Sequence, residues 1–345
     1  MASVVDSAAE GVHDDTSRRG RWSLKGMARR PEFGAVVATA LVYLFFAITT
    51  QGAGFVSIDG TAGWLDTAAE LGIIAIPVGV LMIAGEFDLS VGSIVGASAV
   101  FLAIGTTIFN VPFWLMIVIV LLAGACVGFI NGIITVRTGL PSFIVSLAAS
   151  FCVSGGATGL ARLLTNTTNI SVNPPPDVHL LFGSAWGQAN VSILWWIAVT
   201  AAAGIVLSRT AFGNWIYATG GDPVAARGAG VPTNLVKVIL FIATGVAAAF
   251  VGVIQGVEYH SGNATAGLGY VFQSIIVAVV GGVLLGGGYG SAFGVFLGTM
   301  IYGIINVGIF YTGWSTDWVQ LFLGVLLLCA VLANSYFRRF AMSAR

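Results

Sequence analysis

The chain has 345 residues, of which 57% are hydrophobic and only 8% are charged. A soluble domain carries about 25% charged residues because its surface must be solvated, so the composition excludes an ordinary soluble protein and indicates an integral membrane protein. The 47 glycines suit the close helix packing that occurs in lipid. The formal net charge is zero, which gives no indication of a nucleic-acid partner.

The first 32 residues differ from the rest of the chain. They hold six of its 14 basic residues, and we interpret residues 1–32 as a polar cytoplasmic tail. The apolar run that follows, near 33–50, lacks a convincing small-residue cleavage site and precedes further apolar runs. It is therefore interpreted as a retained transmembrane helix rather than a signal peptide. The predicted transmembrane domain covers residues 33–335, and residues 336–345 are a short cytoplasmic C-terminal tail.

Ten apolar runs approach the length needed to span a membrane, about 17–25 residues each. They predict an all-α polytopic membrane protein with about ten transmembrane helices, near 33–50, 69–86, 90–109, 113–136, 141–162, 191–208, 234–257, 271–287, 290–310 and 317–335. The joins at 87–89 and 288–289 are so short that the flanking helices are expected to form tight hairpins. The three prolines of the longest polar stretch, 163–190, exclude a regular helix through them.

The basic residues predict the orientation of the chain, because they collect in cytoplasmic loops. With ten spans and a cytoplasmic N-terminus, thirteen of the 14 basic residues lie inside and only Arg162 lies outside. Both termini are therefore predicted to be cytoplasmic, with residues 163–190 and 258–270 external.

A short sequence repeat suggests internal symmetry. Residues 128–131 (GFIN) precede Thr138-Gly139, and residues 303–306 (GIIN) precede Thr312-Gly313. In the predicted topology the two copies face opposite sides of the membrane, as in an inverted repeat that relates spans two to five to spans seven to ten. Gly and Asn are common enough in such helices for chance to supply the same match.

The segment Gly85–Ser93 (GEFDLSVGS) places two carboxylates between the second and third spans. A carboxylate held at mid-membrane would cost about 3 kcal/mol. In one interpretation Asp88 or Ser90 caps the third helix, since Asp and Ser are favoured caps. In the other, Glu86, Asp88, Ser90 and Ser93 lie on the transport pathway or its inner gate. Glu86 has no capping position to explain it and is the better pathway candidate.

A second polar segment, Tyr217–Pro232, connects the sixth and seventh spans. Asp222 followed by Pro223 is a strong helix start, and Gly228 and Gly230 offer a stop. The resulting short helix is either an interfacial connector or a docking helix for a cytoplasmic partner. The candidate coupling residues are Tyr217, Gly220, Asp222, Pro223, Ala225, Arg227 and Gly230.

Three segments resemble the ribose-type ABC permease family. Gly85–Ser93 is similar to that family's usual GGIDLSVGS, residues 217–230 (YATGGDPVAARGAG) resemble its cytoplasmic loop, and residues 276–291 (IVAVVGGVLLGGGYGS) resemble its Gly-rich eighth-to-ninth span junction. The similarity runs over most of residues 35–335 in the right order. Two positions depart from the pattern: Glu86 replaces the more usual Gly, and Asp222 the commoner Asn.

The resemblance implies a homodimer of ten-span subunits in the lipid of a bacterial inner membrane. Two ABC ATPase subunits and an extracytoplasmic sugar-binding protein would be its partners, and a monosaccharide or small polyol its solute. This chain has no GxxxxGK[ST] phosphate loop, so ATP hydrolysis is expected on the partner, with no cofactor bound here.

Two other classes of protein are alternatives to this one. A proton- or sodium-coupled secondary transporter would use carboxylates such as Glu70, Glu86 or Glu258. A membrane-embedded enzyme is not indicated, because no HExxH or GxSxG motif occurs.

The three cysteines lie inside apolar runs and are interpreted as packing residues without a disulfide. They form no metal-ligand pattern with the three histidines, so we expect no catalytic and no metal site.

Overall fold

The computed structural model describes residues 31–343, which are mainly helical. Within that range the helices are α1 Pro31–Thr49, α2 Ile58–Ile83, α3 Val91–Thr107, α4 Phe113–Thr138, α5 Ser142–Thr165, α6 Pro176–Phe182, α7 Ser192–Arg209, α8 Ala211–Gly221, α9 Pro223–Gly228, α10 Thr233–Glu258, α11 Tyr270–Val280, α12 Ala292–Thr312 and α13 Trp318–Ser343. Strand β1 (Asn169–Ser171) pairs antiparallel with β4 (Ser261–Asn263), and β2 (Ala185–Trp186) pairs with β3 (Ala189–Asn190). The expected helical, polytopic architecture is confirmed apart from these two small sheets. Almost all of the predicted N-terminal tail, residues 1–30, lies outside the described residues.

Ten of the helices coincide with the ten apolar runs of the sequence. Six of those described are long and apolar enough to cross a membrane, namely α2, α4, α5, α7, α10 and α12. The apolar parts of α1, α3, α11 and α13 are shorter. Helix α11 has 11 residues, about 16 Å at 1.5 Å per residue, whereas the hydrocarbon core is about 30 Å thick. The number of membrane crossings therefore stays a prediction.

Three helix boundaries differ from those predicted. Helix α13 continues to Ser343 instead of ending near residue 335. Helix α2 begins at Ile58 instead of near residue 69, because Ser57 caps it by accepting a 3.1 Å hydrogen bond from the Gly60 N–H. Its first turns contain polar residues, which a search for apolar runs passes over. Helix α11 ends at Val280 instead of near residue 287. The glycine-rich segment 281–291 that follows includes left-handed backbone at Gly282, Gly287 and Gly288, which ends the helix.

The core is built from two closely packed helix pairs, α10 against α4 and α12 against α2. A Cβ atom on Gly128 of α4 would lie 2.1 Å from the carbonyl oxygen of Phe241 on α10. One on Gly303 of α12 would lie 2.2 Å from the carbonyl oxygen of Trp64 on α2. The two glycines that begin the sequence repeat thus make the same kind of contact in the two pairs, where small residues allow the helix backbones to touch.

The hairpin prediction is wrong for the first short join. For the second, the flanking helices do pack together, but the segment 281–291 separates them instead of the predicted join at 288–289. Within residues 31–343, α2 and α3 do not pack along each other, and α3 packs on α10 and α5 instead. Gly85 has a left-handed φ of 86°, and residues 86–90 are held by side chains of other helices, as described below. Helices α11 and α12 do pack together, with the backbones of Gly281 and Gly294 in contact.

The two ends of the helix bundle are distinct. At the junction end, defined by residues 84–90, 217–222 and 281–291, lie the end of α2 and the beginning of α12. At the sheet end lie β1–β4 and the end of α10. Arg137, Arg209 and Lys237 belong to helix termini at the junction end, whereas Arg162 belongs to the last turn of α5 on the way to β1.

The three cysteines are free and exposed on the outer surface of the chain. They therefore do not pack into the core of the single chain, and their interpretation as packing residues stays a prediction. They lie on apolar helices whose outer faces are uncovered in the single chain.

Candidate functional site at the junction end

The three segments that carry the family resemblance meet at the junction end. The backbone N–H of Gly288 donates a 2.7 Å hydrogen bond to the carbonyl oxygen of Ile83, the last residue of α2. The Tyr217 hydroxyl on α8 donates a 2.9 Å hydrogen bond to the carbonyl oxygen of Gly290. Residues from three distant parts of the sequence therefore form one closely packed contact.

Glycine is required where these segments touch. A Cβ atom on Gly220 would lie 1.8 Å from the Ile83 carbonyl oxygen and 2.6 Å from the Gly288 nitrogen. A Cβ atom on Gly287 would lie 2.9 Å from the Gly220 carbonyl oxygen. Because the neighbouring atoms belong to the backbone, a change of side-chain rotamer could not relieve the clash that a larger residue would make.

Asp88 is fully buried beside this contact and joins two helices through hydrogen bonds. Its Oδ1 accepts from the Ser90 N–H at 2.9 Å and from the Ser90 hydroxyl at 2.6 Å, and its Oδ2 accepts from the Thr244 hydroxyl of α10 at 2.6 Å. The Ser90 hydroxyl also accepts a 2.9 Å bond from the amide of Asn131 on α4. The Ser93 hydroxyl donates a 2.8 Å bond to the Ser90 carbonyl oxygen. Asp88, Ser90 and Ser93 are each 0% exposed.

The interpretation of Asp88 or Ser90 as a side-chain cap of the third helix is wrong. Ser90 occupies the N-cap position of α3 but makes no side-chain capping bond. The Asp88 carboxylate bonds Ser90 and Thr244 instead of the first free N–H groups of α3. The right residue was identified from the sequence, but its partner was missed, since it lies 156 positions away on α10.

The first two turns of α5 hold the same segment by its backbone. The Ser142 hydroxyl accepts from the Phe87 N–H at 3.0 Å, and the Ser146 hydroxyl accepts from the Leu89 N–H at 2.9 Å. Buried backbone groups need such partners because an unpaired one costs free energy. Residues 86–90 are thus fixed from α4, α5 and α10 together.

Glu86 forms an ion pair with Lys237 of α10. The two side chains are only 11% and 20% exposed, so the pair is largely shielded from water. No partner for Glu86 was identified from the sequence, although a single lysine near the start of an apolar helix was a signal that could have found it.

The predicted short helix is confirmed as α9, Pro223–Gly228. The Asp222 carboxylate accepts from the N–H groups of Val224 at 2.9 Å and Ala225 at 3.0 Å. These two bonds hold the pKa of Asp222 below its ordinary value. Helix α9 ends before Gly230, which has a φ of 86°. Tyr217 and Gly220, by contrast, belong to helix α8 instead of a loop.

Helix α9 presents an exposed surface. Val224 is 69% exposed, and Ala225, Arg227 and Gly228 are also exposed, whereas Ala226 packs inward. An apolar side chain and a cation therefore face outward from a short, well-capped helix directly beside the junction.

A family model described as the branched-chain amino acid transport system / permease component matches residues 60–331. The chain belongs to this permease family. It is 33% identical over 303 residues to the probable ABC transporter permease protein YphD of Escherichia coli (strain K12), covering 88% of this chain and 89% of that protein. It is 29% identical to the ribose import permease protein RbsC of Haemophilus influenzae, covering 86% and 91% of the two chains. The fructose import permease protein FrcC of Rhizobium meliloti is 29% identical, with 98% and 94% covered.

Because it belongs to this family, the protein is a transport subunit rather than an enzyme. The alternative interpretation as a proton- or sodium-coupled secondary transporter is no longer supported. The other two carboxylates named for that alternative lie elsewhere. Glu70 accepts hydrogen bonds from Gln255 at 2.6 Å and Tyr270 at 2.7 Å. Glu258 accepts a 2.6 Å bond from Asn190 near the sheet end. Among residues 31–343 no group of His, Cys, Asp and Glu could hold a metal ion.

Sequence reasoning missed five residues that hold the site of this permease. They are Asn131, Ser142, Ser146, Lys237 and Thr244. The sequence indicates Asn131 only as part of the repeat. Ser and Thr are common in membrane helices, and nothing in their local sequence distinguishes a residue that bonds a distant loop.

Proposed function

We propose that this permease forms the membrane pathway of an ATP-driven importer that carries a monosaccharide or a related small polyol into a bacterium. The observation that carries the proposal is the meeting of residues 84–90, 217–222 and 281–291 directly beside the exposed helix α9. A bound ATPase that moves α9 would act on a rigid contact shared by α2, α8 and α12. A flexible loop in the same place would absorb the movement.

The solute is inferred from the relatives. Two of them are named for the import of ribose and fructose, whereas the family description refers to branched-chain amino acids. We favour the sugars because the Gly85–Ser93 segment resembles the ribose-type sequence. Leucine is the alternative solute that an uptake assay must include.

The proposed assembly is a homodimer in the inner membrane with two ABC ATPase subunits and an extracytoplasmic sugar-binding protein. ATP is bound by the ATPase, and this chain itself carries no cofactor. Ten spans with both termini cytoplasmic are supported by Arg137, Arg209 and Lys237 at the junction end, since basic residues favour the cytoplasmic side. The matching α10–α4 and α12–α2 pairs support an inverted repeat of spans two to five and seven to ten.

The gate role of Glu86, Asp88, Ser90 and Ser93 is proposed in a narrower form. Because Asp88, Ser90 and Ser93 are fully buried within one subunit, they support the wall of the pathway instead of contacting the solute. Their hydrogen bonds to α4 and α10 keep the inner end of the pathway in one shape.

Uptake by the reconstituted permease, ATPase and binding protein tests this function. We expect radiolabelled ribose or fructose to enter proteoliposomes only with ATP, and to do so in the presence of an uncoupler. Leucine should not enter. Uptake without ATP, or uptake of leucine alone, would contradict the proposal.

The coupling role of α9 is tested by Asp222→Gly/Pro223→Gly, which removes the cap and the fixed backbone angle together. We expect the variant to insert normally but to lose ATPase co-purification or stimulated ATP hydrolysis. Ser57→Gly is the matched control, because it removes the cap of α2 at the sheet end. If the double variant transports at the wild-type rate with its ATPase bound, α9 is only a connector.

A further inference from the structure

The Glu86–Lys237 ion pair connects the segment 84–90 to the beginning of α10. Lys237 is the fifth residue of α10, and Glu86 lies next to Gly85, which faces Gly220 across the glycine contact. It is the one ion pair found among the side chains that the structure describes, which lie within residues 34–332. Both side chains are mostly shielded from water, so each charge depends on the other.

A short turn, fixed by hydrogen bonds, connects helix α9 to helix α10. Helix α9 ends at Gly228 and α10 begins at Thr233. The turn between them is held by a 3.0 Å bond from the Gly230 N–H to the Arg227 carbonyl oxygen and a 3.0 Å bond from the Val231 N–H to the Ala226 carbonyl oxygen. A displacement of α9 therefore reaches the first turns of α10, where Lys237 lies.

Glu86, the partner of Lys237, lies in the segment that connects α2 to α3. Residues 87–89 are bonded to Ser142 and Ser146 of α5, and Asp88 is bonded to Thr244 of α10. Glu86 adds a second attachment of this segment to α10, through Lys237, which lies closer to α9 than Thr244 does. The similar family sequence has Gly at the position of Glu86, so this second attachment is not part of that sequence pattern.

From this geometry we infer that Glu86 and Lys237 form a coupling contact, which passes a movement of α9 through α10 to the segment between α2 and α3. Glu86 is then a positioning residue whose carboxylate is engaged within the subunit, and not a ligand of the solute. The inference rests on the proposed docking of the ATPase on α9.

A set of charge variants in the complete transporter tests the inference. Glu86→Gln and Lys237→Gln each leave a shielded charge unpaired and should lower membrane abundance. The double variant Glu86→Gln/Lys237→Gln leaves no unpaired charge, so its membrane abundance should be normal. Its ATP hydrolysis stimulated by ribose-loaded binding protein should nevertheless fall about fivefold or more, the scale of a typical coupling between sites. The reversed pair, Glu86→Lys/Lys237→Glu, should recover at least half of the wild-type stimulation.

Two results would overturn the inference. Wild-type stimulation in the double neutral variant would mean that the ion pair transmits nothing. A Glu86→Gln variant with a raised KM for ribose uptake and unchanged stimulation at saturation, not rescued by reversal, would make Glu86 a solute ligand. Failure of the proposed docking on α9 looks different: the ATPase would stay bound and active in Asp222→Gly/Pro223→Gly, whatever the charge variants do. Failure of the proposed import function would appear as uptake without ATP in the wild-type transporter.

Discussion

The backbone N–H of Gly288 lies 2.7 Å from the carbonyl oxygen of Ile83, and Gly220 covers the same oxygen from α8. We expect Gly220→Ala to disrupt this three-way contact, because its Cβ would lie 1.8 Å from that oxygen. Overpacking costs about 1–3 kcal/mol, or more where backbone must move. The thermal unfolding temperature of the purified transporter should fall, and stimulated ATP hydrolysis should fall with it.

Gly221→Ala is the control for this prediction. Gly221 is the next residue of the same helix, yet a Cβ atom on it would have no atom of another described residue within 4 Å, its chain neighbours and its own helix backbone aside. Alanine should be neutral or slightly stabilising there, since glycine costs about 0.5–1 kcal/mol in a helix. Equal loss in both variants would show that the contact around Gly220 is unimportant.

Asp88→Ala should lower the stability and abundance of the permease. It removes the acceptor of three hydrogen bonds from Ser90 and Thr244 in a fully buried site, and each buried group left unpaired costs about 1–3 kcal/mol. Asp88→Asn should be milder. Its remaining oxygen can accept from Ser90, and its amide can donate to the Thr244 hydroxyl, whose proton has the Phe241 carbonyl oxygen at 2.8 Å.

Thr244→Val tests the Thr244 hydrogen bond to Asp88 separately from the two Ser90 hydrogen bonds. It keeps the shape of the side chain and removes one donor to Asp88, so we expect a loss of about 1 kcal/mol. Thermal stability in detergent measures all three variants. If Asp88→Ala is as stable as the wild type, the carboxylate does not hold residues 86–90 to α10.

The local features of this permease were predictable from sequence, whereas its long-range contacts were not. Asp222 followed by Pro223 specifies a helix start within three residues, and α9 begins there. A structural role for Asp88 was also predictable, but its partner Thr244 lies on another helix and carries no local signal. The end of α11 was missed because the residues after Val280 are apolar, and composition alone does not distinguish apolar helix from apolar glycine-rich turn.

Accessibility of single cysteines should establish the orientation of the two ends. In a background with Cys126, Cys152 and Cys329 replaced by Ala, we would introduce Gln188→Cys at the sheet end and Leu140→Cys at the turn after α4. Both positions are exposed. An impermeant maleimide should label Gln188→Cys from the periplasmic side of spheroplasts and Leu140→Cys only in inside-out vesicles. The reverse result would contradict the assignment of the basic junction end to the cytoplasm.

The two repeat glycines should respond alike to substitution if the α4–α10 and α12–α2 pairs are equivalent. Gly128→Ala and Gly303→Ala would place a Cβ 2.1 Å and 2.2 Å from a carbonyl oxygen of the facing helix. Since that neighbour is backbone, each pair must separate, and we expect each variant to lose about 1–3 kcal/mol. Gly155→Ala on the uncovered face of α5, where a Cβ would meet no neighbouring described residue within 4 Å, should keep the wild-type unfolding temperature in detergent. A large loss in one repeat variant beside a neutral result in the other would mean that the two helix pairs are not equivalent in the core.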